Sequence, residues 1–324
     1  MLHSHTEIIN KINHFSVRNE AFFFIIDFSG ENGFVITQDE ADNIGILHNF
    51  YGGENHVNNL IKSSLKFDFI PVDILTYKNA FEKVAYHLQR GDTYLLNLTF
   101  PTPLQTNLSL SEIYHLSNAP FKLLVPGHFV VFSPEVFITV RDSMIFSHPM
   151  KGTIDGTIPG AEQKLLADEK ELFEHNTIVD LIRNDLSMVS TNVKVSRFRY
   201  IDRIHTNRGD LLQASSEITG ELPDGYQSRL GNILYTLLPA GSVTGAPKEK
   251  TVEIIREAET YDRGFYTGIF GFYDGKSLSS AVSIRFIEQT NDGLVFKSGG
   301  GITALSDMES EYLEMLKKIY VPVI

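Results

Sequence analysis

Short apolar runs broken by turn residues, with a few isolated helical repeats among them, predict an α+β protein built mainly of antiparallel strands. The strand-like runs are Ala21–Phe28, Phe121–Val125, His128–Phe132, Val136–Val140, Met144–Phe146, Thr267–Tyr273, Leu278–Phe286 and Leu294–Lys297. Many are separated only by Gly, Pro, Asp or Ser turns, the spacing of hairpins. Helical periodicity covers Lys78–Leu88, Gln163–Arg183, Lys248–Thr260 and Asp307–Ile319. Pro247 falls at a first helical position, and Ser306-x-x-Glu309 reads as a capping box for the last helix. The apolar stripe of that helix is Met308, Tyr312, Met315, Leu316 and Ile319. No Ser/Gly linker or short-period repeat divides the chain. Residues 1–324 are therefore read as a single globular unit whose N-terminal portion, 1–78, carries few motifs.

With 324 residues, 42% of them hydrophobic, the chain can bury a sizeable core. Its formal charge of −12, without basic stripes, argues against nucleic acid or an anionic membrane as partner. The longest apolar run, Ala21–Ile26, ends at Asp27 and is far too short to span a bilayer. The polar N-terminus has no signal-peptide core, so a cytoplasmic protein is expected. The chain contains no cysteine, which excludes disulfides, Cys-bound metals and a thiol nucleophile within it.

Several constellations can carry chemistry. Lys151, in His148-Pro149-Met150-Lys151-Gly152-Thr153, follows the run Met144–Phe146. Pro149 and Gly152 imply a bend that presents the lysine at a strand end, where it can serve as a nucleophile or stand solvated. Glu171-x-x-Glu174 and Glu311-x-x-Glu314 each put two carboxylates on one helix face. All-oxygen ligands suit a hard ion, Mg²⁺ above all, if the two helices meet; otherwise both pairs are solvated faces. Gly241-Ser242-Val243-Thr244-Gly245-Ala246-Pro247-Lys248 precedes a helix and Gly299-Gly300-Gly301 follows a strand, and either can cradle an anion or form a tight turn. Glu135, in Ser133-Pro134-Glu135, is a candidate acid or a turn residue. Arg285 interrupts the apolar run Ala281–Phe286; pointing inward it would require an anionic partner, pointing outward it would be solvated.

Taken together, these segments resemble the chorismate-utilising enzymes: anthranilate synthase large subunits, aminodeoxychorismate synthase component I, isochorismate synthases and salicylate synthases. The likeness runs from Asn79 to Lys318 and marks 79–321 as a chorismate-binding catalytic core. It is strongest in ELFEHNTIVDLIRNDL (Glu171–Leu186), LPAGSVTGAPK (Leu238–Lys248), YDRGFYTG (Tyr261–Gly268) and SGGGITALSDMESEYLE (Ser298–Glu314).

The resemblance implies a four-layer α/β/β/α arrangement with two packed, mainly antiparallel sheets. It implies chorismate as substrate and Mg²⁺ as cofactor, with Glu174 and Glu314 as ligands and Glu171 and Glu311 supporting them. Tyr266, Arg285, Lys318 and the backbone of Gly299, Gly300 and Gly301 become substrate contacts, with Gly152, Thr153, Gln213 and Thr244 also lining the pocket. Glu135 becomes the general acid. Lys151 then selects the reaction: anthranilate synthases typically have alanine there, and bacterial aminodeoxychorismate synthases typically have lysine. Isochorismate and salicylate synthases use a lysine in the strand near Tyr94–Thr99, where this chain has none. The expected activity is amination of chorismate to 4-amino-4-deoxychorismate, for 4-aminobenzoate and folate, through a covalent Lys151 adduct. The alternatives are an anthranilate synthase large subunit, an isochorismate synthase, or a non-catalytic chorismate-binding partner. Leu95 departs from the glutamine common in ammonia-using members, and Gln213 from a common histidine. Without cysteine the chain cannot release ammonia from glutamine by that family's chemistry, so it is expected to use free ammonia or a separate glutaminase subunit, the latter being the expected partner.

Overall fold

The computed structural model describes residues 2–50, 53–54, 66–206 and 209–322. These form two sheets in which every pairing is antiparallel. The first runs in the order His3–Ser4, Asn32–Thr37, Phe22–Ile26, Ile269–Tyr273, Leu278–Val282, Val136–Arg141, Met144–Ser147 and Gly209–Glu221. Gly209–Glu221 also pairs Met150–Asp155, and it carries Thr191–Thr206 on its other flank. The second runs Gly245–Ala246, Leu95–Thr106, Gly293–Ile302, Phe286–Thr290, Phe129–Ser133, Phe121–Val125, Leu47–Phe50 and Gly53–Glu54, and Phe67–Phe69 also pairs Leu95–Thr106.

Period-2 geometry explains why Phe22–Ile26 is apolar at every position. Alternate side chains face opposite sides of the sheet, and both sides are covered. Phe23, Ile25 and Phe270 meet Leu123, Val131 and Phe286 of the second sheet. Phe22, Phe24 and Ile26 meet Ile8 and Ile12 of helix His5–Val17 and Leu230 and Leu234 of helix Leu230–Thr236. Beyond the second sheet, Leu96, Leu98 and Phe100 pack under helices Ile74–Arg90, Lys248–Ala258 and Met308–Lys317. The layers are therefore helix, sheet, sheet, helix, as the resemblance implied.

One feature of connectivity governs the site. Phe129–Ser133 lies in the second sheet and its continuation Val136–Arg141 in the first. Leu278–Val282 lies in the first and Phe286–Thr290 in the second. The two segments pair with each other in both sheets, so a two-stranded ribbon switches sheets as a unit. The sequence reading of one strand over Leu278–Phe286 is corrected here: Arg285 takes φ = 54°, which breaks the strand between the sheets.

Other expectations also shift. The helix expected over Gln163–Arg183 is two, Ala161–Ala167 and Glu169–Ser187. Asp168 leaves helical geometry (ψ 112°) and caps the second by accepting the Glu171 N–H at 3.0 Å. The last helix is capped by Asp307, which accepts from Ser310 N, because the Ser306 hydroxyl is turned instead to Glu311 at 2.7 Å. Pro247 sits one position earlier than expected, at the N-cap. Gly299–Gly301 does not follow its strand but lies within it, Gly293–Ile302, paired with Thr99, Leu98 and Asn97. The long hairpin Thr191–Thr206/Gly209–Glu221 escaped the sequence reading because its first strand is rich in charge and exposed.

A buried ion pair ties the strand beside those glycines to its surroundings. Arg263, 2% exposed, donates to both carboxylate oxygens of Glu259 (2.6 and 2.8 Å), to Val243 O (2.9 Å) and to Asn97 O (2.6 Å). Glu259 Oε1 also accepts from the Thr99 N–H and hydroxyl, both at 2.8 Å. Removing one partner strands a charge away from water. Glu259→Ala is expected to cost about 3–5 kcal/mol of unfolding free energy in urea titrations, and Glu259→Gln less, because the amide still accepts hydrogen bonds.

Candidate active site

The sheet-switching ribbon sets two charged side chains side by side. Glu135 and Arg285 occupy its two bends, which are joined by Phe132 N–H to Arg285 O (3.2 Å) and Val282 N–H to Glu135 O (3.1 Å). Glu135 is partly buried, and its Oε1 accepts the Ser242 hydroxyl. Burial pushes its carboxyl upward in pKa, against the Ser242 hydrogen bond and the positive charges of Lys151, Arg285 and Lys318. The Arg285 guanidinium lies 5.2 Å from the centre of the Tyr320 ring, and its Nε has no hydrogen-bond partner among the described residues. A buried guanidinium N–H left so is a ready donor to an anion.

Lys318, at the C-cap of helix Met308–Lys317, donates to Gly299 O at 3.0 Å and pairs with Glu314 at 2.8 Å. Burial lowers its pKa; Glu314 opposes that, and Lys151 and Arg285 add to it. Lys151 lies inside the strand Met150–Asp155, not at the strand end the sequence suggested. A bulge between Met150 and Thr153, with Gly152 at φ = 81°, re-aims it. Its Nζ stands 3.5 Å from Glu174 Oε2.

The glycine strand is the wall these groups share. A Cβ at Gly301 would lie 3.4 Å from Lys151 Nζ, 3.9 Å from Glu174 Oε2 and 3.2 Å from Leu95. One at Gly300 would lie 3.7 Å from both Glu311 Oε2 and Lys318 Nζ. One at Gly299 would strike Leu98 O at 2.5 Å. Leu95, one of the two departures from the family pattern, is therefore a buried apolar neighbour of the Lys151 amine.

Glu174 and Glu311 are both buried and come from different helices to adjacent glycines. Glu171 approaches the position of a Gly152 Cβ at 3.2 Å, and Glu314 is exposed. Among the described residues no three His, Asp or Glu side chains already converge as a metal cage. The donor chemistry, buried carboxylate oxygens facing one backbone wall, nevertheless fits a hard divalent cation.

The remaining expected residues are less engaged. The buried Thr244 hydroxyl donates to Ala240 O at 2.9 Å. Tyr266 is buried against Phe286 (ring centres 6.0 Å), and burial raises its pKa. Gln213 pairs across the sheet with the backbone of Thr153, whose side chain lies outside the described residues.

Four residues near the site were not singled out from sequence. Ser242 holds Glu135. Asp185 and Lys248 form a buried ion pair at 2.6 Å close by. His175, next to Glu174, is fully buried and meets Ser216 Oγ at 2.6 Å, while its Nδ1 has no hydrogen-bond partner among the described residues. All lie inside motifs quoted above, yet nothing in their spacing marks them, because their partners are distant in sequence.

Residues 58–323 match the profile of the chorismate binding enzyme family. An uncharacterized PabA-like protein of Haemophilus influenzae is 50% identical over 315 residues, covering 97% of this chain and 96% of that protein. The aminodeoxychorismate synthase component 1 of Bacillus subtilis is 31% identical over 75% of this chain and 54% of its own, so this chain spans about half the length of that relative. The crystal structure of anthranilate synthase component I from Streptococcus pneumoniae aligns with a TM-score of 0.68 at 25% identity, over 81% of this chain and 60% of that one. Among the described residues, no helix is long and apolar enough to cross a membrane.

Burial, then the Arg199 and Lys151 charges, lowers the His175 pKa from its ordinary 6.5 to about 4. The unfolded chain therefore takes up this proton before the native one does. Stability should fall as pH drops from 6.5 towards 4, by up to about 3 kcal/mol from this group. Urea unfolding across that window should show a shallower pH slope for His175→Gln than for the wild type.

Proposed function

The chain belongs to the chorismate-binding enzymes, and we propose that within that family it aminates chorismate to 4-amino-4-deoxychorismate. The observation that carries this reading is the Lys151 amine beside the glycine wall, 3.5 Å from the Glu174 carboxylate and within the electrostatic reach of Glu135. A dianionic substrate needs local positive charge in a chain of net charge −12, and Arg285 and Lys318 supply it.

In this reading the neutral Lys151 amine adds at C2 of the ring. The C4 hydroxyl departs as water with the Glu135 proton. Ammonia adds at C4, the C2–lysine bond breaks to release the amine, and the Glu135 carboxylate takes the extra proton from the new ammonium. Atoms and charge balance: chorismate and ammonia give aminodeoxychorismate and water. The upward shift of Glu135 favours its starting acid form. Glu171, Glu174, Glu311 and Glu314 would hold Mg²⁺. That ion, when bound, would offset carboxylate charge on the substrate. Having no cysteine, the chain would take ammonia from solution or from a glutaminase subunit. The synthase names of its relatives support this reading, and so does the lack of a lysine within Leu95–Thr99.

Purified protein given chorismate, Mg²⁺ and ammonium, followed by an aminodeoxychorismate lyase, should yield 4-aminobenzoate. Anthranilate or isochorismate as the main product would overturn the assignment. Lys151→Ala should lower the rate of amination by about 10²-fold or more. With ammonia withheld, intact-protein mass spectrometry should find a chorismate-derived adduct on the wild type and none on the variant.

A further inference from the structure

The two oxygens of the Glu135 carboxyl are not equivalent. Oε1 accepts the Ser242 hydroxyl proton. A protonated carboxyl has one carbonyl oxygen that only accepts and one hydroxyl oxygen that donates. A serine hydroxyl that goes on donating to Oε1 when the carboxyl takes up its proton makes Oε1 the carbonyl oxygen and leaves the acid proton on Oε2.

Ser242 is held firmly enough to do this. It sits in the short turn Gly241–Thr244. The next carbonyl, Val243 O, accepts from the buried Arg263 guanidinium at 2.9 Å, and the Thr244 hydroxyl closes the turn on Ala240 O. Beside the Glu135–Ser242 contact lies a cavity of about 20 Å³, lined among others by Ser147, Asp185 and Gly241. That is room for about one water. Asp185 on that wall is committed to Lys248. The charged groups acting on Glu135 are Lys151, Arg285 and Lys318, and all three favour its ionised form.

We infer that Ser242 is a positioning residue for the acid: it confines the transferable proton to Glu135 Oε2 and fixes the carboxyl's orientation. The inference rests on the reading of Glu135 as the general acid.

Two measurements on Ser242→Ala and Ser242→Thr test it. The first needs no turnover. The infrared carbonyl band of the protonated Glu135 is identified by its loss in Glu135→Gln. It should move to higher wavenumber in Ser242→Ala, which deletes a hydrogen bond to the carbonyl oxygen, and return in Ser242→Thr. The second is steady-state amination with ammonium. Ser242→Ala should lower kcat about tenfold, the worth of one well-placed hydrogen bond, with KM for chorismate unchanged and activity restored by threonine. The pH above which activity declines should move upward in Ser242→Ala, because the lost hydrogen bond favoured the carboxylate. A Glu135 band that is missing from the wild type or unmoved in Ser242→Ala overturns the inference, whatever the activity. A moved band with unchanged kcat overturns the positioning role. A moved band in a wild type that makes no amino product counts instead against the amination reading, while upholding the assignment of the proton to Oε2.

Discussion

The rest of the site depends on one ribbon that changes sheets. Two strands that are paired in both sheets must bend together, and the bends fall at Glu135 and Arg285. In regular strand geometry an acid and a guanidinium at these positions would lie in the tightly packed inter-sheet core, where unpaired charge is costly. At the bend both residues leave regular strand pairing, and the Arg285 charge acts on the Glu135 carboxyl. Arg285 accepts a backbone conformation that non-glycine residues rarely adopt, φ = 54°, and the two cross-bend hydrogen bonds hold it there.

Around that bend, elements from distant parts of the chain converge. The bulge at Gly152 brings Lys151, the helix after Asp168 brings Glu174, and the last helix brings Glu311 and Lys318. Gly301 leaves room for Lys151 and Glu174, and Gly300 for Glu311 and Lys318, because hydrogen in place of a methyl leaves the space these groups occupy. The Glu259–Arg263 pair fixes the neighbouring strand at Asn97 and Thr99 and reaches the turn that holds Ser242. A hydrogen-bonded backbone frame thus stands behind a pocket of charged side chains, and preorganised charge is what electrostatic catalysis needs.

Several parts of this were legible in the chain itself. The strand runs near Phe121–Phe146 and Thr267–Tyr273 could be read because apolar alternation and turn residues are local signals. The helix after Pro247 could be read for the same reason. The candidate residues of the site were legible from their types (a lysine between Pro and Gly, paired glutamates three apart and a glycine triplet), and the family resemblance of the motifs around them implied their roles. The cap at Asp307 was missed by one residue, because Ser and Asp are nearly equal as caps, and the break at Asp168 was missed altogether because the helical periodicity runs through it. The glycine triplet was taken for a loop, since glycine is a poor strand former, and only pairing with Thr99, Leu98 and Asn97 makes it strand.

The sequence by itself determined the α+β class, the acid balance and the chemical vocabulary of the pocket, because those follow from periodicity and side-chain type, while the layer order was implied by the family resemblance. Tertiary structure alone decided which groups touch. Ser242 reaches Glu135 across 107 residues, Arg263 reaches Asn97 across 166, and Lys318 turns back to Gly299. Such contacts arise from strand pairing between remote segments and from the bend between two sheets. No local preference encodes them, because each is stabilised only when the whole frame has closed around it.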